Sequence, residues 1–342
     1  MNHRQLRDSE PGNSLRARQL RRFCAARWLA LLAFLSLYSV SAAAQSYAYV
    51  PTHKSNSVSV INTTTRSVIA EIPVGVQPLQ VAISPDHAFA YVTDSGWFVP
   101  NNDVSVISTA TNTVVATIPV GRFPVGVAFT PNGAFAYVVN QNSNNVSVID
   151  TTTRTVTATI TVGTNPWGVA FAPNGAFAYV TNQDTNDVSV INTATNTVVG
   201  RIPVGANPVG LALTPDGSFI YVANCNSASV SVISTATNSV VSTVSVGTFP
   251  IAIATTPNGA SAYVATDGDN TVWVINTASN TVAATLVAGN TPRGVAVSPD
   301  GAYAYVSNRI SDDVTIINTA TNTVAATILG VVFLPEGIAI KP

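Results

Sequence analysis

Few side chains beyond residue 44 could perform acid–base catalysis. The histidines in this part of the chain are His53 and His87, and the glutamates are Glu71 and Glu336. Hydrolysis requires a nucleophile with a base, or a metal held by several ligands, and the spacing of these four residues predicts neither arrangement. Glycine-rich phosphate-binding motifs are also missing. The sequence therefore favours binding over catalysis.

A recurring VG-x-x-P segment places a variable residue directly after its proline. In chain order this residue is Leu79, Val125, Trp167, Val209, Ile251, Arg293 or Glu336. Trp167 is interpreted either as a stacking surface for a ligand or as a plug of a central channel. Arg293 and Glu336 are interpreted as a structural ion pair, with a substrate clamp as the alternative. The remaining candidate ligand-binding residues of the recurring segments are Arg122, His53 and Arg309.

Two irregular segments add further candidates. Residues 93–102, TDSGWFVPNN, contain a four-residue insertion, and we expect Trp97 and Phe98 either to form an exposed partner-binding knob or to fold back over the protein. Asp267 and Asp269 resemble the start of a calcium loop, although the remaining ligands of an EF-type loop are missing. This candidate calcium site is the only cofactor that the sequence indicates.

Charge is scarce and unevenly distributed. Charged residues make up 9% of the chain, and residues 1–45 contain seven arginines against Asp8 and Glu10. The remainder is therefore acidic and poor in lysine. Such a surface lacks the positive charge that phosphate binding requires, so nucleic acid is excluded as a predicted partner.

The N-terminal segment is predicted to be a secretory signal peptide covering residues 1–44. The basic run RQLRRFCAAR precedes the apolar run from Trp28 to Val40, and Ala42-x-Ala44 offers a cleavage site. An uncleaved membrane anchor is the alternative, but the apolar segment from Trp28 to Ala44 is at the lower limit for spanning. We expect export to the periplasm, cell surface or medium, with no transmembrane segment in residues 45–342. Cys225 is then the only remaining thiol, so an internal disulfide is excluded. We expect Cys225 to be buried.

A repeat organises the rest of the chain. A Tyr-Val pair begins at Tyr49, Tyr91, Tyr137, Tyr179, Tyr221, Tyr263 and Tyr305, with spacings of 42, 46, 42, 42, 42 and 42 residues. Each copy contains four short β-branched segments, and a period of 40 to 45 residues with four strands is typical of a propeller blade. We therefore predict an all-β, seven-bladed β-propeller of four-stranded antiparallel blades as a single domain over residues 45–342.

The turns between copies predict how the ring closes. Five of the six turns between the first and second strands carry Asn-Gly or Asp-Gly, which supplies positive φ, whereas Asp86-His87 is the exception. The seventh copy is split between the two ends. We expect residues 335–340 to pair with the N-terminal strands and close the ring. Pro73, Pro119 and Pro203, at the ends of outer strands, should discourage edge-to-edge aggregation.

The strand order separates the loops onto two faces. Turns between first and second strands, and between third and fourth strands, share a face on which Pro-Asn-Gly and Asn-Thr-Ala-Thr-Asn recur. Loops between second and third strands share the other face with the crossings between blades. Because the residues on this second face differ between copies, we expect the ligand-binding site there.

The runs AYVTN (178–182), AYVVN (136–140), IYVAN (220–224) and AYVSN (304–308), each followed by a VSVI-like strand, resemble the YVTN-repeat β-propellers, including YncE-like proteins. The resemblance covers residues 46–342. It implies an exported or surface-layer-associated seven-bladed propeller, and it brings no defined catalytic motif. WD40 repeats are a poorer match because the Trp-Asp signature is missing.

Three functions remain open at this point. The first is a binding or scaffold module that recognises a protein, a glycan or a small ligand through its variable face. The second is a propeller enzyme of the lactonase or quinone-dependent dehydrogenase type. The third is a structural component of a surface layer or matrix. The sequence favours the first. An enzyme would need several acidic, amide or histidine side chains around the channel, and the seven positions after the prolines include only one carboxylate.

Overall fold

The computed structural model describes residues 46–96 and 102–342, which form seven antiparallel sheets of four strands. The repeat determines this arrangement, because each copy supplies four β-branched segments separated by tight turns. The chain is a seven-bladed β-propeller, as the period predicts. Residues from Gln45 to Pro342 form one compact unit.

The strands of each blade are numbered here along the chain. The innermost strands of blades 2 to 7 are β4 (Pro78–Ile83), β8 (Pro124–Phe129), β12 (Pro166–Phe171), β16 (Pro208–Leu213), β20 (Pro250–Thr255) and β24 (Pro292–Val297). The second strands of blades 1 to 7 are β1 (Tyr47–Thr52), β5 (Phe89–Asp94), β9 (Phe135–Asn140), β13 (Phe177–Asn182), β17 (Phe219–Asn224), β21 (Ser261–Thr266) and β25 (Tyr303–Asn308).

The third strands are β2 (Ser57–Asn62), β6 (Asp103–Ser108), β10 (Asn145–Asp150), β14 (Asp187–Asn192), β18 (Ser229–Ser234), β22 (Thr271–Asn276) and β26 (Asp313–Asn318). The outermost strands are β3 (Ser67–Pro73), β7 (Thr113–Pro119), β11 (Thr155–Thr161), β15 (Thr197–Pro203), β19 (Ser239–Ser245), β23 (Thr281–Val287) and β27 (Thr323–Leu329). Short 3-10 helices occupy Gln141–Ser143 and Cys225–Ser227.

The C-terminal strand β28 (Ala339–Lys341) closes the ring as predicted. It is the innermost strand of blade 1 and pairs antiparallel with β1, with Ala48 opposite Ile340. An isolated bridge joins Thr52 to Pro335. The regular strand is shorter than the predicted segment 335–340. Both chain ends therefore contribute to one sheet.

The turns on the repetitive face have the predicted backbone geometry. Gly133, Gly175, Gly217, Gly259 and Gly301 have φ of 70 to 73°, and His87 adopts φ 60° at the same position of its turn. A residue with a Cβ atom is strained in this region. His87 is thus explained as part of a turn, and it lies on the face opposite the variable loops.

Tyrosines of the second strands connect neighbouring blades. All seven repeat tyrosines are buried, and the Tyr49 hydroxyl donates a 2.8 Å hydrogen bond to Asn112 Oδ1 in the next blade. Tyr137, Tyr221 and Tyr263 make the same bond to Asn196, Asn280 and Asn322. The Tyr-Val signature is therefore a structural link between sheets, and the Asn residues of the outer turns serve as its acceptors.

A second polar link lies within the blades, at the end of the second strand. In blade 4 the amide nitrogen of Asn182 donates to Asp187 (2.6 Å) and to Ser189 (2.9 Å). Blade 2 has Asp94 at the same position, opposite Asp103 in the register of β5 and β6. Burial, with a smaller contribution from the nearby Asp103, raises the pKa of Asp94 to about 8, although the hydrogen bond from Ser105 opposes the shift. The two carboxyl groups can therefore share a proton near neutral pH.

The core follows from this packing. It is divided into clusters that neighbouring blades share; one contains Tyr49, Val60 and Ile72 of blade 1 with Val92 and Ile107 of blade 2. Among the described residues, no helix has the length and apolar character needed to cross a membrane. The predicted signal segment and the aromatic pair Trp97 and Phe98 lie outside the described residues.

Candidate functional site

The first component of the candidate site is a ring of residues at the mouth of the central channel, hereafter the mouth ring. It consists of the seven residues that follow the crossing prolines: Leu79, Val125, Trp167, Val209, Ile251, Arg293 and Glu336. Each lies at the start of an innermost strand or in the segment leading to β28. Leu79, Val125, Val209 and Glu336 are buried, whereas Trp167, Ile251 and Arg293 are partly exposed.

A second ring surrounds the first; the sequence predicted three of its members, His53, Asp267 and Arg309, as candidates but not the ring as a whole. We call it the loop ring; it contains the residue that follows each second strand: His53, Ser95, Gln141, Gln183, Cys225, Asp267 and Arg309. The backbone N–H of each donates to the carbonyl of the residue before a crossing proline, at 2.8 to 3.2 Å. Those acceptor residues have φ of 53 to 61°. The same backbone hydrogen bond thus connects the two rings in every blade, and only the side chains differ between blades.

Ionisable side chains of the two rings are concentrated in blades 6, 7 and 1. Arg293 Nη2 lies 3.1 Å from Asp267 Oδ2, and Arg309 Nε lies 2.8 Å from Glu336 Oε1. His53 and Cys225 flank these pairs. We call Arg293, Asp267, Arg309, Glu336 and His53 the charged cluster. The predicted direct pairing of Arg293 with Glu336 is wrong, because each has its nearest counter-ion on the loop ring.

Burial controls protonation in the charged cluster. It raises the pKa of Glu336 to about 7, despite the opposing effect of Arg309 and Arg293. Burial also lowers the pKa of His53, and both arginines lower it further. His53 is therefore neutral at pH 7, while Glu336 is divided between its two protonation states. Protonation of Glu336 therefore leaves the positive charge of the two arginines less completely balanced.

The channel below the mouth ring is narrow. Its cavity has a volume of about 140 Å³ and is lined by inner-strand residues that include Trp167, Ile251 and Gln80. The strands approach closely because glycine follows the mouth residue in most blades; a Cβ atom on Gly210 would lie 2.5 Å from the Ile251 carbonyl oxygen. The cavity therefore has room for only a few non-hydrogen atoms, and larger spaces at this face lie above it, at the two rings.

The opposite side of the mouth is neutral. There the Gln141 amide donates to Gln183 Oε1 across 3.1 Å between blades 3 and 4. Trp167 lies in blade 4 and packs against the core while lining the channel. The site is thus asymmetric, with charge on one side and an indole with two amides on the other.

The other candidates from the sequence lie outside the charged cluster or are hydrogen-bonded to other residues of the chain. Arg122 is exposed in blade 3. Asp269 accepts hydrogen bonds from the Thr248 backbone (3.3 Å) and the Thr271 hydroxyl (3.1 Å). Over residues 46–96 and 102–342, no group of three or more His, Cys, Asp or Glu side chains is placed to hold a metal.

Two further residues with ionisable side chains lie outside the charged cluster. They are Glu71 and Cys225. Glu71 lies in the outermost strand β3, where Ser57 and Ser59 donate to its carboxylate. Cys225 was expected to be buried but is partly exposed on the loop ring. Burial raises the pKa of its thiol, so it is protonated at neutral pH. It contributes a small, uncharged boundary to the charged cluster.

Comparison with known protein families agrees with this architecture. The family model described as lactonase, 7-bladed beta-propeller, matches residues 40–161 and 235–336, which is more than half of the chain. The chain belongs to this family. The model of the cytochrome D1 heme domain also matches, over residues 130–257. No curated protein shows significant sequence similarity to the chain.

Solved structures share the fold of this lactonase-family propeller at low sequence identity. Hydrazine synthase of Kuenenia stuttgartiensis is 24% identical, with a TM-score of 0.72 over 80% of this chain and 92% of that one. A functionally unknown protein from Desulfotomaculum acetoxidans is 22% identical, with a TM-score of 0.75 and coverage of 86% and 98%. A putative 6-phosphogluconolactonase from Bacteroides uniformis is 18% identical, with a TM-score of 0.74 and coverage of 86% and 99%.

Proposed function

We propose that this propeller is a binding module that recognises a small organic acid at the charged cluster. The observation that carries the proposal is that two guanidinium groups, Arg293 and Arg309, lie at the mouth with Asp267 and the buried Glu336 as their counter-ions. Asp267 compensates one of them, but burial keeps Glu336 partly protonated near pH 7. A ligand carboxylate would complete the charge balance, and arginine suits carboxylate because its planar fork can donate two parallel hydrogen bonds.

The neutral side of the mouth suits the rest of such a ligand. Trp167 offers an apolar face, and Gln141 and Gln183 offer amide donors and acceptors. Because the channel cavity is small, the ligand would lie across the mouth between the two sides. A hydroxy acid fits this chemistry, with its carboxylate at the arginines and its hydroxyl groups at the amides.

Isothermal titration calorimetry with a panel of hydroxy acids and aldonates tests the proposal. We expect binding that weakens as the pH rises from 6 to 8, because ionised Glu336 competes with the ligand for the arginines. Arg309→Gln should weaken binding by roughly tenfold or more, since it removes a charge-assisted hydrogen bond. Arg122→Gln is the matched control on another blade and should bind like the wild type.

A different result would overturn this assignment. If no member of the panel bound, the charged cluster would be a purely structural ion network. If Arg122→Gln weakened binding as much as Arg309→Gln, general surface charge rather than the cluster would be responsible.

Lactone hydrolysis is a second candidate function, favoured by the family and by Glu336. A carboxyl group with a pKa near the working pH can transfer protons in both directions. The assay is the release of acid from a panel of lactones, measured against spontaneous hydrolysis. Turnover that is lost in Glu336→Gln would establish the activity, whereas wild-type rates equal to the background would eliminate it.

A tetrapyrrole does not fit the described channel. Pockets for ligands of drug size have volumes of about 300–1,000 Å³, whereas the channel cavity has about 140 Å³. The described histidines are His53, on the loop ring, and His87, on the opposite face. The similarity to the cytochrome D1 heme domain therefore supports the fold alone.

We further propose that the protein is exported and that it belongs to the YVTN-repeat propellers. The basic and apolar pattern of residues 1–44 supports secretion, and the AYVTN-type repeats support the subgroup. Determination of the N-terminus of the protein recovered from fractionated cells tests the first point. A new terminus at residue 45 outside the cytoplasm is expected, and an intact terminus in the cytoplasmic fraction would contradict it.

A further inference from the structure

One of the interfaces between blades departs from the repeat on the face opposite the charged cluster. In several interfaces a repeat tyrosine donates its hydroxyl to an Asn in the outer turn of the next blade. Between blades 2 and 3 the tyrosine is Tyr91, and the residue at the Asn position is Arg154. A guanidinium group offers only donors, so Arg154 lacks the acceptor that Asn112, Asn196, Asn280 and Asn322 provide; between blades 7 and 1, Arg66 occupies the same position.

Arg154 is accommodated by an aromatic ring and adopts the backbone geometry of the Asn residues. Its φ is 56°, close to the 53° of Asn112 and Asn196. The guanidinium carbon lies 4.8 Å from the centroid of the Phe89 ring, within the range of a cation–π interaction. The side chain is therefore held at the edge of the interface rather than inserted into it.

A cavity of about 350 Å³ lies at this interface. Tyr91, Arg154, Asp86, Asn132 and Phe89 are among its lining residues. Equivalent cavities at two other interfaces are smaller, with volumes of about 290 and 260 Å³. In both of those interfaces the tyrosine hydroxyl is bonded to its Asn. The larger cavity thus coincides with the lost acceptor.

The lining combines groups that recognise hydroxyls with aromatic rings. Asp86 accepts from the Ser84 hydroxyl and the Ala88 backbone through one oxygen, Oδ1, and these bonds lower its pKa and keep it ionised. Asn132 Oδ1 is already an acceptor for Thr130 and Ala134, so its amide nitrogen is the group that can donate to a ligand. Phe129 packs edge-on to Tyr91 with ring centroids 4.8 Å apart.

We propose that this cavity binds a monosaccharide. A carboxylate, an amide, a guanidinium and a phenol around aromatic walls can satisfy both donor and acceptor capacities of vicinal hydroxyl groups. An anion is disfavoured because the Asp86 carboxylate lines the cavity and offsets the charge of Arg154. A purely apolar ligand would leave these polar groups without partners. The site is independent of the charged cluster, which lies on the opposite face.

The test uses glucose, galactose, mannose and N-acetylglucosamine as probes in calorimetric titrations of the full chain. At least one should bind the wild type. Arg154→Asn restores the residue found in most other blades and thereby the tyrosine acceptor, so the variant should fold and melt at or above the wild-type temperature. It should bind the sugar roughly tenfold or more weakly, because a charged hydrogen-bond donor is lost and the interface closes.

Two controls separate this site from others. Arg66→Asn makes the same substitution between blades 7 and 1 and should leave sugar binding unchanged, as should Arg309→Gln at the charged cluster. The proposal is overturned if none of the four sugars binds, or if Arg154→Asn binds like the wild type. Equal loss in Arg66→Asn and Arg154→Asn would also overturn it, because it would indicate a general effect of the outer turns.

Discussion

Replacement of Asp94 by Asn should make the propeller more stable at alkaline pH. Asp94 is fully buried, Ser105 donates to its Oδ2 across 2.7 Å, and Asp103 lies opposite. At the same position of blade 4 the amide of Asn182 donates to Asp187. Asp94→Asn therefore replaces a proton shared by two carboxyl groups with an amide donor that this position accommodates elsewhere in the ring.

The magnitude follows from the pKa. The folded protein holds the Asp94 proton up to about pH 8, whereas an unfolded carboxyl releases it near pH 4. The folded state therefore binds more protons between these values, and this group's contribution to stability falls as the pH rises across that window. Four pH units correspond to a ceiling of roughly 5 kcal/mol. Since local opening admits water to the charge, we expect Asp94→Asn to gain about 2–4 kcal/mol at pH 9 and under about 1 kcal/mol at pH 5.

Thermal unfolding of both proteins from pH 5 to pH 9 measures this difference. A gain of this size corresponds to a rise in Tm of roughly 3–6 °C at pH 9 for a domain of this length. Asn182→Asp is the reciprocal control, because it creates an acid pair with Asp187 and should introduce a similar loss of stability at high pH. Parallel pH profiles for wild type and Asp94→Asn would refute the reasoning, since the shared proton would then have no energetic consequence.

Three other perturbations test the packing of the ring. Removal of residues 335–342 should lower the Tm by well over 10 °C, because blade 1 loses its innermost strand; an unchanged Tm would contradict closure by β28. Gly210→Ala should destabilise by about 1–3 kcal/mol in urea unfolding, as its Cβ would contact a carbonyl of the next blade, while Gly200→Ala in an outer strand should be near neutral. Tyr49→Phe should cost about 1 kcal/mol through its lost hydrogen bond, whereas Tyr91→Phe, which faces Arg154, should cost less; equal costs would show that the acceptor is unimportant.

The fold could be predicted because the repeat period, the turn residues and the split copy all indicate the same architecture. The Tyr-Val period sets the number of blades, the Gly residues at 133 and equivalent positions set the turns, and the split seventh copy requires closure by both ends. These signals are local and repeated, and repetition removes the ambiguity that short β-branched segments have when they stand alone. The limits of β28 were less predictable, since its pairing depends on a partner almost 300 residues away in the sequence.

The candidate site could be predicted only in part. The mouth ring follows directly from the crossing prolines, so Trp167, Arg293 and Glu336 were found from sequence. Three loop-ring residues, His53, Asp267 and Arg309, were candidates, but the ring as a set was not predicted because its members share no residue type. A signal was present nevertheless: the residue immediately after each AYVTN-type strand varies while its neighbours do not. The direct pairing of Arg293 with Glu336 was wrong because the loop ring offered each a closer counter-ion.

The loop ring explains how a repetitive propeller can acquire chemistry without loss of stability. The bond that holds the crossing in all seven blades comes from the backbone N–H of each residue, and in blade 2 the Ser95 hydroxyl also donates to the Gln77 carbonyl. Because the recurring bond does not depend on the side chain, a single substitution changes the site while the ring geometry stays fixed. Three loop-ring positions are Ser95 or glutamine. The equivalent positions in other blades are Cys225, Asp267, Arg309 and His53. The repeated strands determine stability, so substitutions in the loop ring should change the charge and polarity of the mouth with little effect on the Tm.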